Sequence, residues 1–229
     1  MNVNTTALRG LHSSCKGGVW ALLLLLIGLS SCGEHIEEYN AYYDWEARNA
    51  TWFRQIADSA RTAIREARMR YGDDWEAHCQ WRMFKSLLRD QKLQSGDVED
   101  TICVRIIERG TGTVCPTFSD TVRVSFRGWL MPVTDADGQR EEVVFSQTFY
   151  GDFSLQTAAP QLGAVSVFKD GFATALQYMV EGDQWMVYIP QNLFYGSDGQ
   201  GTVLPYSTVR MFLHLNAIYP PGTTIPVWR

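Results

Sequence analysis

Residues 170–179 read DGFATALQYM and predict the one short helix within a run of strands. Four apolar residues stand at positions i, i+3, i+4 and i+7, which places them on one helical face: Phe172, Ala175, Leu176 and Met179. Asp170, a residue type that caps helix N-termini, stands at the start of the pattern. The stretch therefore predicts a short amphipathic helix that begins at Asp170.

Strands are predicted on both sides of this helix. Residues 121–130 (TVRVSFRGWL) and 209–215 (VRMFLHL) alternate between apolar and polar side chains. A period of two is typical of strands with one face in the core and the other in solvent, so His214 is expected to be solvated. One helix among such strands predicts an α+β domain, in which a twisted antiparallel sheet closes over the helix.

Residues 184–196 (QWMVYIPQNLFYG) predict another strand and the loop that leaves it. Trp185, Val187 and Ile189 share one face of this strand. Pro190 has no N–H to donate and should end it, whereas Gly196 allows the backbone to turn. The aromatic residues of the loop could fill a core or line a pocket.

The region before residue 101 follows a different pattern. Apolar residues three or four apart predict a helix from about Trp45 to Tyr71: Trp52, Ile56, Ala60, Ala63 and Ala67. Residues 78–88 fit a helix or a strand equally well, and the polar residues 91–100 are the expected boundary. We therefore predict a mainly helical region at 45–100, a sheet domain at 101–220 and a tail at 221–229.

The first residues are typical of an export signal. An apolar run at 19–29 is shorter than the about 20 residues that span a membrane, and the only charges before it are Arg9 and Lys16. The run ends in LSSC, which resembles the lipobox of bacterial lipoproteins. We predict a signal peptide at 1–31, lipidation of Cys32 and a polar spacer at 32–44, so that acyl chains tether the protein to the cell envelope.

The net charge limits which partners the chain can bind, and the number of cysteines limits how many disulfides it can form. Without residues 1–31 the chain carries 18 Lys and Arg against 25 Asp and Glu, a net charge of −7, which disfavours binding to nucleic acid. Cys79, Cys103 and Cys115 remain beside Cys32, so at most one intramolecular disulfide can form, with its pairing open. The acidic residues near Gly138 predict a hairpin tip rather than a metal site.

Eight short motifs occur in the order and spacing of FKBP-type peptidyl-prolyl isomerases, which the chain resembles over about residues 101–217. The motifs are GTGTVCP (110–116), DTVRVSFRG (120–128), VF (144–145), DGFATALQYM (170–179), GDQW (182–185), YIP (188–190), FYG (194–196) and PYST (205–208). The resemblance implies a five- or six-stranded antiparallel sheet curled around one helix. It also implies an aromatic pocket for X-Pro peptide bonds, with no nucleophile, metal or cofactor.

The resemblance also assigns the residues of this pocket. Phe145, Tyr195 and Phe172 match its catalytic aromatic positions, and Tyr195 contributes a hydroxyl that binds the peptide. Six further positions match substrate-binding residues of the family: Phe126, Ser146, Phe168, Lys169, Val203 and Met211. Residues 149–166 align poorly with the family, and none of them is assigned to the site.

Two positions depart from the family pattern and leave two functions open. Ser146 stands where the family commonly has aspartate, and Phe126 where it usually has tyrosine, so a charge and a hydroxyl are lost. The first hypothesis is an envelope isomerase that assists the folding of proline-containing exported polypeptides. The alternative is a peptide- or protein-binding module with weak or no catalysis. The helical region would serve as a stalk, as a homodimerising arm, or as a segment packed on the chain's own domain.

Overall fold

The computed structural model describes residues 39–89 and 98–228. The predicted signal peptide, Cys32 and the first part of the spacer lie outside them. None of the helices found in the two described ranges combines the length and apolar character that a membrane crossing requires.

Residues 39–89 and 98–228 form three helices and nine strands. The helices are α1 (Trp45–Tyr71), α2 (Trp75–His78) and α3 (Asp170–Leu176). The strands are β1 (Trp81–Lys85), β2 (Thr101–Glu108), β3 (Thr121–Leu130), β4 (Val133–Thr134), β5 (Arg140–Glu141), β6 (Val144–Gln147), β7 (Gln161–Ala164), β8 (Gln184–Ile189) and β9 (Val209–Tyr219). Short 3-10 turns lie at Gly72–Asp74, Val98–Asp100, Val165–Val167 and Gln191–Leu193.

Seven of the strands form one antiparallel sheet in the order β1-β2-β8-β9-β3-β6, with β7 also pairing to β3. The long central pair β3–β9 runs from Thr121 opposite Tyr219 to Leu130 opposite Val209. β4 and β5 form a separate hairpin whose tip contains Gly138, as the turn residues predict. The predicted α+β architecture, a sheet around one short helix, is confirmed.

Helix α3 packs against one face of the sheet and supplies much of the core. Phe172, Ala175 and Leu176 are each at most 3% exposed, and Val187 and Ile189 from β8 are fully buried in the same cluster. The predicted N-cap is wrong, because Asp170 is already the first residue of the helix. Its carboxylate accepts hydrogen bonds from the hydroxyls of Ser86 and Thr174 instead of capping the backbone.

The second face of the sheet is covered as well, which corrects the expectation of half-buried strands. Phe149, Phe153 and Phe212 form a second apolar cluster on this face. His214, expected in solvent, is only 5% exposed, and its ring centroid lies 4.9 Å from that of Phe153. The alternation correctly predicts which side chains share a face of the strand. It does not predict that residues 149–158 cover the second face.

The C-terminal residues complete this covering layer. Arg123 of β3 donates a hydrogen bond from Nη2 to the carbonyl oxygen of Pro226 (2.7 Å), and its guanidinium lies 5.2 Å from the ring centroid of Trp228. The indole N–H of Trp228 donates to the carbonyl oxygen of Ala158 (3.4 Å). The predicted tail is therefore attached to this face by individual contacts, while its described residues stay exposed.

The sheet begins earlier than the predicted boundary near residue 100. Residues 81–85, left open between helix and strand, form β1 and pair with β2 from Trp81 opposite Arg105 to Lys85 opposite Thr101. The polar stretch after β1 thus separates two paired strands rather than two domains. Helix α1 packs on this sheet through Phe53 and Ala57, which cluster with Cys103 of β2.

Cys79, Cys103 and Cys115 are free thiols. Cys79 and Cys103 are buried, whereas Cys115 is exposed. Burial raises the pKa of the Cys103 thiol to about 12, because the thiolate would be desolvated beside α1.

Candidate active site

A cavity of about 490 Å³ opens between α3, the sheet and the loops that follow β7 and β8. All nine residues that the sequence assigned to the pocket line this cavity: Phe126, Phe145, Ser146, Phe168, Lys169, Phe172, Tyr195, Val203 and Met211. Their neighbourhood follows from the topology, because β3 and β9 pair directly and Phe172 of α3 meets Phe126 of β3. Their individual roles stay predictions.

The floor of the cavity is apolar and nearly closed to solvent. Phe126, Phe172, Val203 and Met211 are each at most 7% exposed. The ring of Phe172 stacks on that of Phe168, with centroids 4.6 Å apart, and meets Phe126 edge-on at 5.6 Å. Contacts of this kind fix the orientation of each ring.

One wall depends on a glycine in β3. Phe145 of β6 lies against Gly128, where an added Cβ would be 2.5 Å from Cζ of the phenylalanine. The other edge of Phe145 meets Phe194, with ring centroids 5.8 Å apart. Because Gly128 has no side chain, the ring can rest on the strand and face the cavity.

The loop after β8 brings Tyr195 to the cavity, as predicted from Pro190 and Gly196. β8 ends at Ile189, and Gly196 adopts a positive φ of 59° and donates its N–H to the carbonyl oxygen of Gln191. Burial raises the pKa of the Tyr195 hydroxyl, so this group is a protonated donor at neutral pH.

The rim carries little charge. Ser146 and Lys169 are exposed, and the ammonium of Lys169 lies 4.5 Å from the centroid of the Tyr195 ring. Within the part of the chain that the structure describes, Lys169 and the Tyr195 phenol are the only ionisable side chains that line the cavity. An aromatic cavity with a phenol and one cation at its edge suits an uncharged, extended peptide segment better than an ionic ligand.

The sequence did not identify six other lining residues: Gln161, Val167, Phe194, Gln200, Gly201 and Thr202. Phe194 could have been found, since it directly precedes Tyr195 in the FYG motif. Gln161 belongs to β7, within the stretch that aligned poorly, and nothing in its local pattern places β7 beside β3.

A comparison with protein families identifies the family that the central part of the chain matches. Residues 112–213 match the family model described as FKBP-type peptidyl-prolyl cis-trans isomerase. These residues form an FKBP-type domain. All nine predicted site residues lie within the FKBP-type domain, whereas α1 and β1 lie before it.

Three known proteins resemble about half of this chain at similar levels of identity. The macrophage infectivity potentiator of Trypanosoma cruzi is 32% identical over 117 residues, 51% of this chain and 52% of that protein. The FKBP-type 22 kDa peptidyl-prolyl cis-trans isomerase of Escherichia coli K12 is 32% identical over 112 residues (48% and 47%). The outer membrane protein MIP of Legionella longbeachae is 32% identical over 115 residues (50% and 42%). The chain thus spans about half the length of these relatives.

Proposed function

We propose that the chain is a peptidyl-prolyl cis-trans isomerase that acts on proline-containing polypeptides. The observation that carries this proposal is the desolvated aromatic cavity of the FKBP-type domain, with the Tyr195 phenol at its edge. An X-Pro bond needs no acid, base or covalent partner to rotate, only a site that favours its twisted state.

The physical basis is the loss of amide resonance during rotation. Turning a peptide bond crosses a barrier of ~18–20 kcal/mol, and X-Pro bonds isomerise uncatalysed in tens to hundreds of seconds. The twisted state has a less dipolar carbonyl and nitrogen than the planar state, so transfer from water into the apolar cavity favours it. Phe126, Phe172 and Met211 supply the buried surface for this transfer.

Two further groups are assigned to peptide binding. The Tyr195 hydroxyl donates a hydrogen bond to a carbonyl of the bound peptide, and its raised pKa keeps the donor protonated. The Phe145 ring packs against the proline from the side of β6. Val203, Phe168, Ser146 and Lys169 complete the walls and the rim of the cavity.

A protease-coupled assay on X-Pro peptides tests the proposal. Tyr195→Phe and Phe145→Ala are expected to lower kcat/KM, whereas Phe153→Ala, a matched truncation in the cluster on the opposite face, should leave it unchanged. The proposal is overturned if the wild-type chain does not accelerate isomerisation. The site assignment is overturned if both cavity variants keep the wild-type rate.

A second candidate function is peptide or protein binding without efficient catalysis. Two observations favour it: the exposed Ser146 replaces a carboxylate, and Phe126 offers no hydroxyl to the cavity. If the wild-type chain binds proline peptides without turning them over, Ser146→Asp distinguishes a defective enzyme from a binding module. A gain of activity in this variant favours the enzyme, and unchanged inactivity favours the binding module.

We further propose that the chain acts on exported polypeptides while tethered to the cell envelope through a lipidated Cys32. The lipobox-like sequence LSSC supports this location, and one relative is an outer membrane protein. Mass spectrometry of the N-terminal peptide from membrane fractions should show acylated Cys32. Cys32→Ala should move the chain to the soluble fraction, and its retention in the membrane would contradict the lipid anchor.

A homodimer through the helical region is the remaining proposal about partners. The inner face of α1 packs on the chain's own sheet through Phe53 and Ala57, so a dimer would have to use its outer face. That face carries Arg54, Arg61 and Arg65. Sedimentation equilibrium of the chain distinguishes a monomer from a dimer.

A further inference from the structure

We propose that Trp45 and Asn49, in the first turns of α1, are positioning residues for the cavity: they hold the loop at residues 203–208. The effect on catalysis rests on the proposed isomerase function, but the hold on the loop does not. Both residues lie before the FKBP-type domain, so the cavity would depend on a helix outside the family match.

Trp45 is joined to the loop through Ser207. The indole N–H of Trp45 donates to Oγ of Ser207 (3.0 Å), and this hydroxyl donates in turn to the carbonyl oxygen of Leu204 (2.7 Å). Trp45 is 8% exposed and Ser207 is 3% exposed. Because water has little access, loss of either partner would leave a buried polar atom unsatisfied, which costs more than the net value of the bond.

Asn49 makes the second connection, one turn further along α1. Its Oδ1 accepts the backbone N–H of Thr208 (2.9 Å), and its Nδ2 donates to the carbonyl oxygen of Trp45 (2.8 Å). Asparagine is a weak helix former, and at 1% exposure it gains nothing from solvent. Its side-chain amide explains its presence here, because Nδ2 bonds to the helix backbone while Oδ1 bonds to the loop backbone.

The loop needs such support, since part of its backbone is strained. Tyr206 has a φ of 61°, a left-handed conformation that costs of order 1–3 kcal/mol for a residue other than glycine and persists only where the surroundings enforce it. Tyr206 is itself tied to Gly196 by an N–H to carbonyl bond of 2.8 Å. The contacts with α1 fall on Ser207 and Thr208, the next two residues.

The same loop carries one wall of the cavity. Val203, 3% exposed, lines the cavity five residues before Thr208, and β9 begins directly after Thr208 and places Met211 in the floor. Movement of residues 203–208 would therefore displace Val203 and loosen the entry of β9. Trp45 and Asn49 do not line the cavity, and their hydrogen bonds reach it through the loop. Trp45 also packs in the core cluster that contains Val203 and Met211.

Two measurements on the full chain test the hold on the loop. Trp45→Phe removes the indole donor but keeps an aromatic ring, Asn49→Ala removes the amide, and Ser207→Ala removes the hydroxyl. Each should speed amide hydrogen exchange in residues 200–208 and raise KM about two- to tenfold with a small change in kcat, because the wall contacts ground and transition states alike. Ser207→Ala also removes the bond to Leu204, so it should be the more affected single variant. The double variant Trp45→Phe/Ser207→Ala should be no worse than Ser207→Ala, because the Trp45–Ser207 bond is already absent there.

Ala60→Gly is the matched control. Ala60 is fully buried on the same helix but makes no contact in this network, and a glycine there costs about 1 kcal/mol of helix stability. It should lower the free energy of unfolding without changing exchange in residues 200–208 or KM. The proposal is overturned if Ala60→Gly changes both as much as Trp45→Phe, or if the three variants leave exchange in the loop unchanged.

A wild-type chain without isomerase activity would refute the proposed function and not this inference. Hydrogen exchange in residues 200–208 would still test the hold on the loop. So would the peptide affinities of the Trp45 and Ser207 single and double variants.

Discussion

The ring of Phe145 rests on Gly128, the residue that pairs with Ser146 in the β3–β6 ladder. Two neighbouring residues of β6 therefore differ in their surroundings. Phe145 packs against β3, whereas Ser146 is exposed at the rim of the cavity. A single missing side chain on β3 thus determines how far the aromatic wall projects into the cavity.

The first prediction concerns this contact. Gly128→Ala would place a Cβ 2.5 Å from Cζ of Phe145, so the ring must move away from the strand and into the cavity. We expect a loss of about 1–3 kcal/mol in the free energy of unfolding, as in other overpacked sites. kcat/KM should fall about tenfold or more, since the displaced ring occupies substrate volume. Urea denaturation and the coupled assay measure the two effects.

A second substitution distinguishes a clash with Phe145 from a general destabilisation of β3 by alanine at position 128. Phe145→Leu removes the ring atoms that clash, so Gly128→Ala/Phe145→Leu should be more stable than the sum of the two single effects predicts. If the two losses in the free energy of unfolding simply add, the side chains at positions 128 and 145 do not clash.

The second prediction concerns substrate charge. Among the described residues that line the cavity, Lys169 has the only charged side chain, and Ser146 provides no carboxylate to offset it. Peptides with glutamate before proline should therefore be preferred over peptides with lysine there by about three- to fivefold at low ionic strength, since both sites are exposed and the interaction is screened. The ratio of kcat/KM values for a matched peptide pair measures the preference.

Lys169→Gln is the control for this preference. It keeps a long polar side chain, so the peptide ratio should approach one while the rate on an uncharged peptide changes little. Added salt should have the same effect on the wild-type chain. A preference that survives both changes would have another origin.

The sequence predicted the elements with strong local signals and the residues that family motifs carry. Helix α3, the end of β8 at Pro190 and the nine assigned residues that line the cavity belong to this group. The errors concern contacts between residues that lie far apart in the sequence. Nothing local in VRMFLHL indicates that Phe153 covers His214, because a period of two describes the pleat and not what lies above it. The membership of β1 in the sheet was equally undetermined, since it depends on pairing with β2.

The third prediction concerns the reactivity of the three thiols. Cys115 is exposed, whereas Cys79 and Cys103 are buried, and burial raises the pKa of Cys103 to about 12. The thiolate is the reactive form, so iodoacetamide at pH 8 should modify Cys115 first and Cys103 only after unfolding. Peptide mass spectrometry after timed labelling gives the order. Early modification of Cys103 in the folded chain would contradict its burial between β2 and α1.

The last prediction concerns pH. Burial lowers the pKa of His214, while Glu108 and Asp183 act in the opposite direction without cancelling the effect. The unfolded chain, with an ordinary histidine pKa of ~6.5, therefore binds a proton more readily than the folded chain. The stability that neutral His214 contributes is complete above pH ~6.5 and is lost as the pH falls through the window below it, with a slope of at most ~1.4 kcal/mol per pH unit.

Urea denaturation of wild-type chain and His214→Gln at pH 7.5, 6.5 and 5.5 measures this slope. The variant should be less stable at pH 7.5, because glutamine repacks poorly beside Phe153, but its stability should fall less between pH 6.5 and 5.5. His78→Gln is the matched control, since His78 is exposed and pairs with Asp74 on the surface. If His214→Gln and the wild-type chain lose stability in parallel over this range, protonation of His214 does not drive the acid sensitivity of the second face.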